Sequence, residues 1–216
     1  MSVSFFRTAG AMACLWLAGC SVLPQPPAQA VRYDFGPELP AAAASAGPAV
    51  ARLPIALADV DAPGLKDSDT SVLYRLAYAD AQVVRPYQLA RWTLPPEQLV
   101  QQRLSSRLGR ERSVLYGGVD GRVQPRVQGQ VPVLLQVELQ EFSHVFLTAQ
   151  DSVGWVRLRA TLVDRQPQGD VLLGQQTFTV RQAADSAGAA GGVRALTQAT
   201  DQAIAALQAW LQQQGR

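Results

Sequence analysis

The chain contains little cysteine, little histidine and almost no lysine. Its two cysteines, Cys14 and Cys20, both lie within the first twenty of 216 residues. The rest of the chain therefore has no thiol, which excludes a disulfide framework and cysteine-ligated metal there. His144 is the single histidine, so a histidine-based metal cluster is excluded as well.

The charges nearly balance and are dispersed along the chain. Nineteen basic residues face seventeen acidic ones, and Lys66 is the single lysine. Because no run of basic residues forms a surface that could follow phosphates, we expect no nucleic-acid partner. Hydrophobic residues make up 48% of the chain and charged residues 17%, which is typical of a folded protein.

No apolar run near the N-terminus is long enough to span a bilayer. Arg7 precedes a short apolar stretch that ends at Ala18, which is typical of a cleaved signal. Leu17, Ala18, Gly19 and Cys20 match the lipobox of bacterial lipoproteins, in which the cysteine is acylated after cleavage. We therefore predict a signal peptide over residues 1–19 and lipidation of Cys20. The alternative is an ordinary secretory signal in which Cys20 is incidental.

The residues after Cys20 predict a tethered protein on the periplasmic face of the outer membrane. An aspartate directly after the lipidated cysteine is an inner-membrane retention signal in enterobacterial-type sorting, whereas this chain has Ser21. The inner membrane remains the alternative. Residues 20–30 contain three prolines and no apolar period, which indicates an extended tether. Ten such residues reach roughly 35 Å, so the folded part stays near its membrane.

Residues 31–216 predict a single domain of the α+β class. Alternation of apolar and polar residues predicts strands over residues 31–35 and 53–60 and a hairpin over 72–92. Three further strands over 131–147, 153–164 and 171–181 form an antiparallel meander with one apolar face. We predict an antiparallel sheet covered on that face by two main helices.

The two helices are predicted from their boundary signals and apolar stripes. The first opens at Pro95-Pro96-Glu97 and ends near Gly109. Its stripe consists of Leu99, Val100, Leu104 and Leu108. The second spans about 18 residues from Val193 to Leu211, after a small-residue loop over 185–192. Its polar face is rich in glutamine, so a helix that covers the core is favoured over one that lies on a membrane.

The sequence offers little catalytic chemistry. A serine nucleophile with His144 would make an envelope hydrolase, but no Gly-x-Ser-x-Gly motif is present. Asp67 and Asp69 lack the glycine and glutamate of a calcium loop. We therefore expect no catalytic residues, no metal and no cofactor, and a protein that is not an enzyme.

Three aromatic residues are candidates for an interface. Strict alternation places Phe142 and Phe146 with His144 on the outer, polar face of their strand, near Trp155 of the next strand. An exposed aromatic patch of this kind usually contacts a partner or lipid. The alternative is that another loop covers these residues.

The order of short motifs resembles the ABC-type transport auxiliary lipoprotein family. The lipobox is followed by Tyr33-Asp34-Phe35-Gly36-Pro37 and by the strand over 53–60. The block Tyr87-Gln88-Leu89-Ala90-Arg91-Trp92 then leads into the proline-started helix. Arg91 and Trp92 before that helix carry most of the resemblance.

The resemblance implies a docking role in envelope transport. Members of the family work with MCE-domain proteins and ABC transporter components that move lipids or other hydrophobic molecules between two membranes. The expected partners are therefore these proteins, the membrane through acyl chains on Cys20, and further copies of the chain. The alternative is a lipid-binding chaperone that acts without a transporter, with a dry pocket between the sheet and the terminal helix.

Overall fold

A computed structural model describes residues 28–37, 52–65, 69–116, 126–127 and 131–216. The predicted signal peptide, Cys20 and most of the tether lie outside these ranges, as do Lys66 and Asp67. The described residues form an α+β domain with two helices and a curled mixed sheet of eight strands.

The elements follow one another in the order that the sequence patterns predict, with one short strand added. The strands are β1 (Val31–Tyr33), β2 (Ile55–Leu57), β3 (Ser71–Leu76), β4 (Asp80–Trp92), β5 (Val114–Tyr116), β6 (Val133–Phe146), β7 (Ser152–Gln166) and β8 (Gly169–Ala183). The helices are α1 (Pro96–Gly109) and α2 (Ala189–Gln213). The added strand is β5, which the sequence analysis did not predict.

The long strands β6, β7 and β8 form the predicted antiparallel meander. The expectation of a wholly antiparallel sheet is wrong, because β2 and β3 both lie parallel to β6 along its other edge. After β2 the chain continues along β6 through a parallel bridge between Asp61 and Glu138, and β3 then pairs further along the same edge. Because β3 follows this edge in the same direction as β2, it is parallel to β6 as well. The pairs β1–β4 and β2–β5 are parallel as well.

Both helices bury the apolar stripes predicted for them. Leu99, Val100, Leu104 and Leu108 of α1 are all buried, as predicted. The terminal helix begins at Ala189, four residues before its predicted start, so the expected loop over 185–192 is too long. Neither helix in the described part of the chain is long and apolar enough to cross a membrane.

The contact between α2 and the sheet is close because of Gly154 on β7. A Cβ atom at this position would lie 2.5 Å from the carbonyl carbon of Ala195 on α2. Alanines on the helix, including Ala199 and Ala203, are fully buried against the strands. These small residues allow the backbone of α2 to approach the sheet closely. Larger side chains fill the rest of the interface between helix and sheet.

A β-bulge in β6 decides which side chains enter the core. The register with β7 shifts between Leu139 and Glu141, so Gln140 is an extra residue. Before the bulge the odd-numbered residues face the helices, and after it Phe142, His144 and Phe146 do so. One extra residue transfers every later side chain to the opposite face of the strand.

Candidate interaction surface and the buried aromatic cluster

Phe142 lies in the core and not on the outer face predicted for it. Its ring centroid lies 5.5 Å from that of Trp92 and 6.1 Å from that of Phe35, and those two rings lie 5.7 Å apart. Phe142 and Trp92 are each 1% exposed. The bulge is the reason for the error, because it turns Phe142 towards the helices. The three rings join the end of β1 to β4 and β6.

Phe146 is also buried, so its predicted place in an exposed patch is wrong for the same reason. Its ring centroid lies 4.5 Å from that of His144 and 6.2 Å from that of Tyr74. Tyr74 in turn packs against Tyr87 at 4.6 Å. These four residues form a second aromatic group at the end of β6, where β3 and β4 meet it.

His144 is fully buried within this group. Its Nδ1 shares a hydrogen bond of 2.9 Å with the hydroxyl of Tyr87. Burial lowers the pKa of His144 to about 4, while burial and the neighbouring Tyr74 raise the pKa of Tyr87 to about 12. Both groups are therefore neutral near pH 7, and they act as a packed polar pair inside the domain.

Among the described residues, the surroundings of His144 do not form a catalytic triad. Within the described ranges, the side chain of His144 makes one hydrogen bond, to Tyr87, and its Nε2 has no hydrogen-bond partner. Ser143, its neighbour in sequence, points to the opposite face of β6, where it is buried as well. The same ranges hold no group of histidine, cysteine and acidic side chains that could bind a metal.

Trp155 is the candidate that remains on the outer face of the sheet, where it is half-buried. It lies between Ser143 of β6 and Arg181 of β8. The guanidinium of Arg181 lies 4.3 Å from the centre of the indole, and that of Arg157 lies 5.5 Å from it. Two cation–π contacts therefore fix the indole on the sheet and place positive charge beside it.

Ion pairs also lie on the outer face of the sheet. Arg75 of β3 pairs with Glu141 of β6 at 3.1 Å, and Arg159 of β7 pairs with Glu138 of β6. Arg157 and Arg181 lie over the indole and place positive charge next to it. We name Trp155, Arg157 and Arg181 the Trp155 surface.

The Arg91-Trp92 motif has a structural explanation in two parts. Trp92 is a core residue, as described above. Arg91 donates from Nη1 to the backbone oxygens of Tyr87, at 2.5 Å, and Ala90, at 2.9 Å. These bonds hold the last residues of β4, just before the chain enters α1 at Pro96.

Arg103 of α1 is an important residue that the sequence analysis did not single out. It is only 6% exposed, and its Nη2 donates to the backbone oxygens of Phe35, at 2.6 Å, and Gly36, at 3.0 Å. Its Nη1 pairs with Asp201 of α2 at 3.4 Å. Arg103 thus joins the segment after β1 to both helices. Its position between Val100 and Leu104, inside the apolar stripe, is the sequence signal that could have revealed it.

These features define an α+β domain whose first strand, just after the predicted tether, is fixed to two helices. The family model for the ABC-type transport auxiliary lipoprotein component matches residues 33–208. The chain therefore belongs to this family, as its motifs predict.

Solved structures share the fold at low sequence identity. Protein XCC0632 from Xanthomonas campestris is 18% identical, with a TM-score of 0.64 over 86% of this chain and 96% of that one. The hypothetical protein CT253 from Chlamydia trachomatis is 10% identical, with a TM-score of 0.50 over 76% of this chain and 98% of that one. No curated protein matches the chain.

Proposed function

We propose that the chain is a lipoprotein anchored through Cys20 to the periplasmic face of the outer membrane. There it serves as a non-enzymatic docking component of an ABC transport system that contains an MCE-domain protein. The system moves lipids or other hydrophobic molecules across the envelope. The observation that carries this proposal is the family match over residues 33–208, together with the lipobox that precedes it.

The connection between tether and domain supports an anchored role. β1 begins at Val31, directly after the predicted tether, and pairs with the end of β4. Arg103 then fixes the next residues, Phe35 and Gly36, to the helices. A lipid anchor on Cys20 would therefore be attached to the core of the domain through a short chain, and the domain would stay at the membrane.

The Trp155 surface supports a docking role. Tryptophan and arginine are enriched among the residues that contribute most to protein–protein binding. Here an indole in contact with two guanidiniums presents both residue types on the outer face of the sheet. We assign this surface to contact with a partner protein of the transport system. Phe142 and Phe146 support the fold beneath it and do not belong to the contact.

The lipid-binding chaperone is less well supported by the described residues. It requires a dry pocket between the sheet and α2. That space is closed, because Gly154 meets the backbone of Ala195 and because Trp210 packs against Phe178 with ring centroids 6.1 Å apart. A bound acyl chain would have to separate the helix from the sheet.

Site-specific photo-crosslinking in cells tests the docking role. A photoreactive residue at Thr179, which pairs with Arg157 on the outer face and is exposed, leaves Trp155 intact. The same residue at exposed Leu172, near the other end of β8, is the matched control. We expect crosslinks from Thr179 to an MCE-domain protein or an ABC component, and a loss of these crosslinks on Trp155→Ala. Equal crosslinking from both positions, or none to such proteins, would contradict the proposal.

The anchor is tested separately by mass spectrometry and membrane fractionation. The mature chain should begin at Cys20 and carry the mass of its acyl groups, and it should sediment with outer membranes. Cys20→Ser should remove both the added mass and the sedimentation. A mature chain that begins elsewhere, or that lacks acyl groups, would show that Cys20 is incidental.

A further inference from the structure

Four exposed apolar residues lie near one end of the sheet, in two neighbouring turns and the adjoining part of β4. Tyr78 belongs to the turn between β3 and β4, Val83 and Val84 lie near the start of β4, and Leu147 follows β6. Tyr78 and Leu147 are 52% and 51% exposed, and the two valines are close to 40%. We name these four residues the apolar tip.

Strand pairing places both parts of the apolar tip side by side. Leu76, at the end of β3, pairs with Phe146, at the end of β6. The amide of Ala77 then donates to the backbone oxygen of Phe146 at 2.9 Å. The β3–β4 turn and the β6–β7 turn therefore project from the same end of the sheet. The β7–β8 turn, next to Gln166, lies at the opposite end.

The chain N-terminal to β1 leads towards this same end. β1 is parallel to β4, with Val31 opposite Ala90. Since β4 begins at the tip with Asp80 and runs away from it, β1 also runs away from the tip. Residues 28–30, directly before Val31, therefore enter β1 from its tip side, and the chain that leads back to the predicted lipid anchor at Cys20 continues from there.

The length of the tether allows the anchor and the tip to reach one membrane together. Val31 lies near the level of Ser71, because Ser71 pairs with Arg91 beside Ala90. The five steps along β3 from Ser71 to Leu76 cover about 17 Å at the usual strand rise. The eleven steps from Cys20 to Val31 extend to at most about 37 Å. The tether is thus long enough to pass the tip and still enter the bilayer.

The charges at the tip are compatible with contact at the lipid headgroups. The carboxylate of Asp80 accepts a hydrogen bond from the amide of Gln82 at 3.0 Å, and that of Asp151 accepts one from the Thr148 hydroxyl at 3.1 Å. Both carboxylates are hydrogen-bonded within their own turns and, as charged groups, would stay at the hydrated level of the headgroups. Tyrosine and aliphatic side chains beside polar turns suit the boundary between headgroups and acyl chains.

We propose that the apolar tip rests in the interfacial layer of the same leaflet that holds the acyl chains of Cys20. The contact orients the domain, so that the sheet stands on the membrane and the β7–β8 turn points away from it. This inference rests on the proposed lipidation of Cys20, since the anchor brings the tip to the bilayer.

Fluorescence quenching by nitroxide-labelled lipid tests this contact. The processed chain has no free thiol once Cys20 is acylated, so a single introduced cysteine can be labelled with bimane. Leu147→Cys and Val83→Cys report on the tip, and Leu172→Cys at the far end is the matched control, because Leu172 is 63% exposed. The full lipidated protein is reconstituted in vesicles of phosphatidylethanolamine and phosphatidylglycerol that contain doxyl-labelled phosphatidylcholine.

We expect several-fold stronger quenching at Leu147 and Val83 than at Leu172. Tyr78→Asp combined with Val84→Asp should reduce the quenching to the control level while the protein still floats with vesicles. Floating protein with equal quenching at all three positions would overturn the tip contact and leave the anchor intact. Protein that does not float with vesicles would contradict the anchor, and the tip contact would fail with it.

Discussion

The Tyr87 hydroxyl lies 2.9 Å from Nδ1 of His144, at the place where β4, β6 and the first turn of α2 meet. Gly192 of α2 makes this arrangement possible, because a Cβ atom there would overlap the imidazole ring. The histidine is held neutral in a space that fits it closely. This relationship gives the domain a measurable response to acid.

Stability should fall as the pH drops from about 6.5 to about 4, because the folded protein resists protonation of His144. Its pKa is about 4 in the folded state, against 6.5 for an ordinary histidine. Below pH 6.5 the unfolded chain therefore binds more protons than the folded one. The loss should reach about 3 kcal/mol near pH 4, since each pKa unit corresponds to about 1.4 kcal/mol. Urea denaturation at several pH values, compared with His144→Gln, measures this loss.

NMR provides an independent check that does not depend on a variant. His144 is the single histidine, so its imidazole signals in untagged protein need no further assignment. They should stay those of a neutral ring from pH 7.5 down to about 5. A titration midpoint near 6.5 would show that the ring is hydrated and that the account of its burial is wrong.

Gly154→Ala should destabilise the domain strongly. The added methyl group would lie 2.5 Å from the backbone of Ala195, and neither β7 nor α2 can move without disturbing the core. We expect a loss of about 1–3 kcal/mol or more in the free energy of unfolding, as is usual for overpacked interiors. The control is Gly109→Ala in α1, where a Cβ atom meets nothing within 4 Å. Equal stability of the two variants would refute the close contact of helix and sheet.

Arg103→Met should loosen the segment after β1. It removes the buried hydrogen bond to Phe35, the partly buried one to Gly36 and the ion pair with Asp201. We expect a loss of about 1–3 kcal/mol, because the backbone oxygens lose their donor, whereas the partly exposed Asp201 keeps its ion pair with Arg107.

Limited proteolysis distinguishes this local effect from a general loss of stability. Cleavage near Tyr33 and Phe35 should become much faster in Arg103→Met than in Gly154→Ala, when both are compared at the same fraction unfolded. Arg103→Lys should behave like the methionine variant, since an ammonium group lacks the fork that reaches both oxygens and Asp201. Unchanged cleavage at these residues would contradict the role of Arg103.

Phe142 and Trp155 should differ sharply when each is replaced by alanine. Phe142→Ala empties a site between Phe35 and Trp92 and should cost about 3–5 kcal/mol of stability. Trp155→Ala should change stability far less, because the indole is half-buried on the outer face. Thermal unfolding of both variants measures the difference. A Trp155→Ala variant as unstable as Phe142→Ala would make Trp155 a structural residue and not an interface residue.

Local pattern was sufficient to predict the long strands and the helices. The apolar stripe of α1 and the alternation in β7 each follow a single period without interruption, so their buried faces could be identified directly. In β6 the alternation is interrupted, so that odd-numbered residues face the helices before the bulge and even-numbered residues after it. Gln140 and Glu141 are two successive polar residues between Leu139 and Phe142, and this doublet is the sequence signal of the bulge. Strict alternation across it assigned Phe142 and Phe146 to the wrong face.

The neighbours of each strand could not be predicted in the same way. The parallel pairing of β2 and β3 with β6 depends on how the chain returns to one edge, and no local pattern encodes that. The bond between Tyr87 and His144 likewise joins residues 57 positions apart. Trp155 was placed correctly on the outer face because β7 alternates without a bulge, although the two flanking guanidiniums were not anticipated.

The most direct test of the docking role is capture of the tagged lipoprotein from cells after crosslinking. Protein and lipid in the captured material are identified by mass spectrometry, and Cys20→Ser is the control. We predict recovery of an MCE-domain protein or its ABC partners, lost or mislocalised in the Cys20→Ser variant. Recovery of stoichiometric lipid without such a partner would contradict the docking role and favour a lipid-binding chaperone.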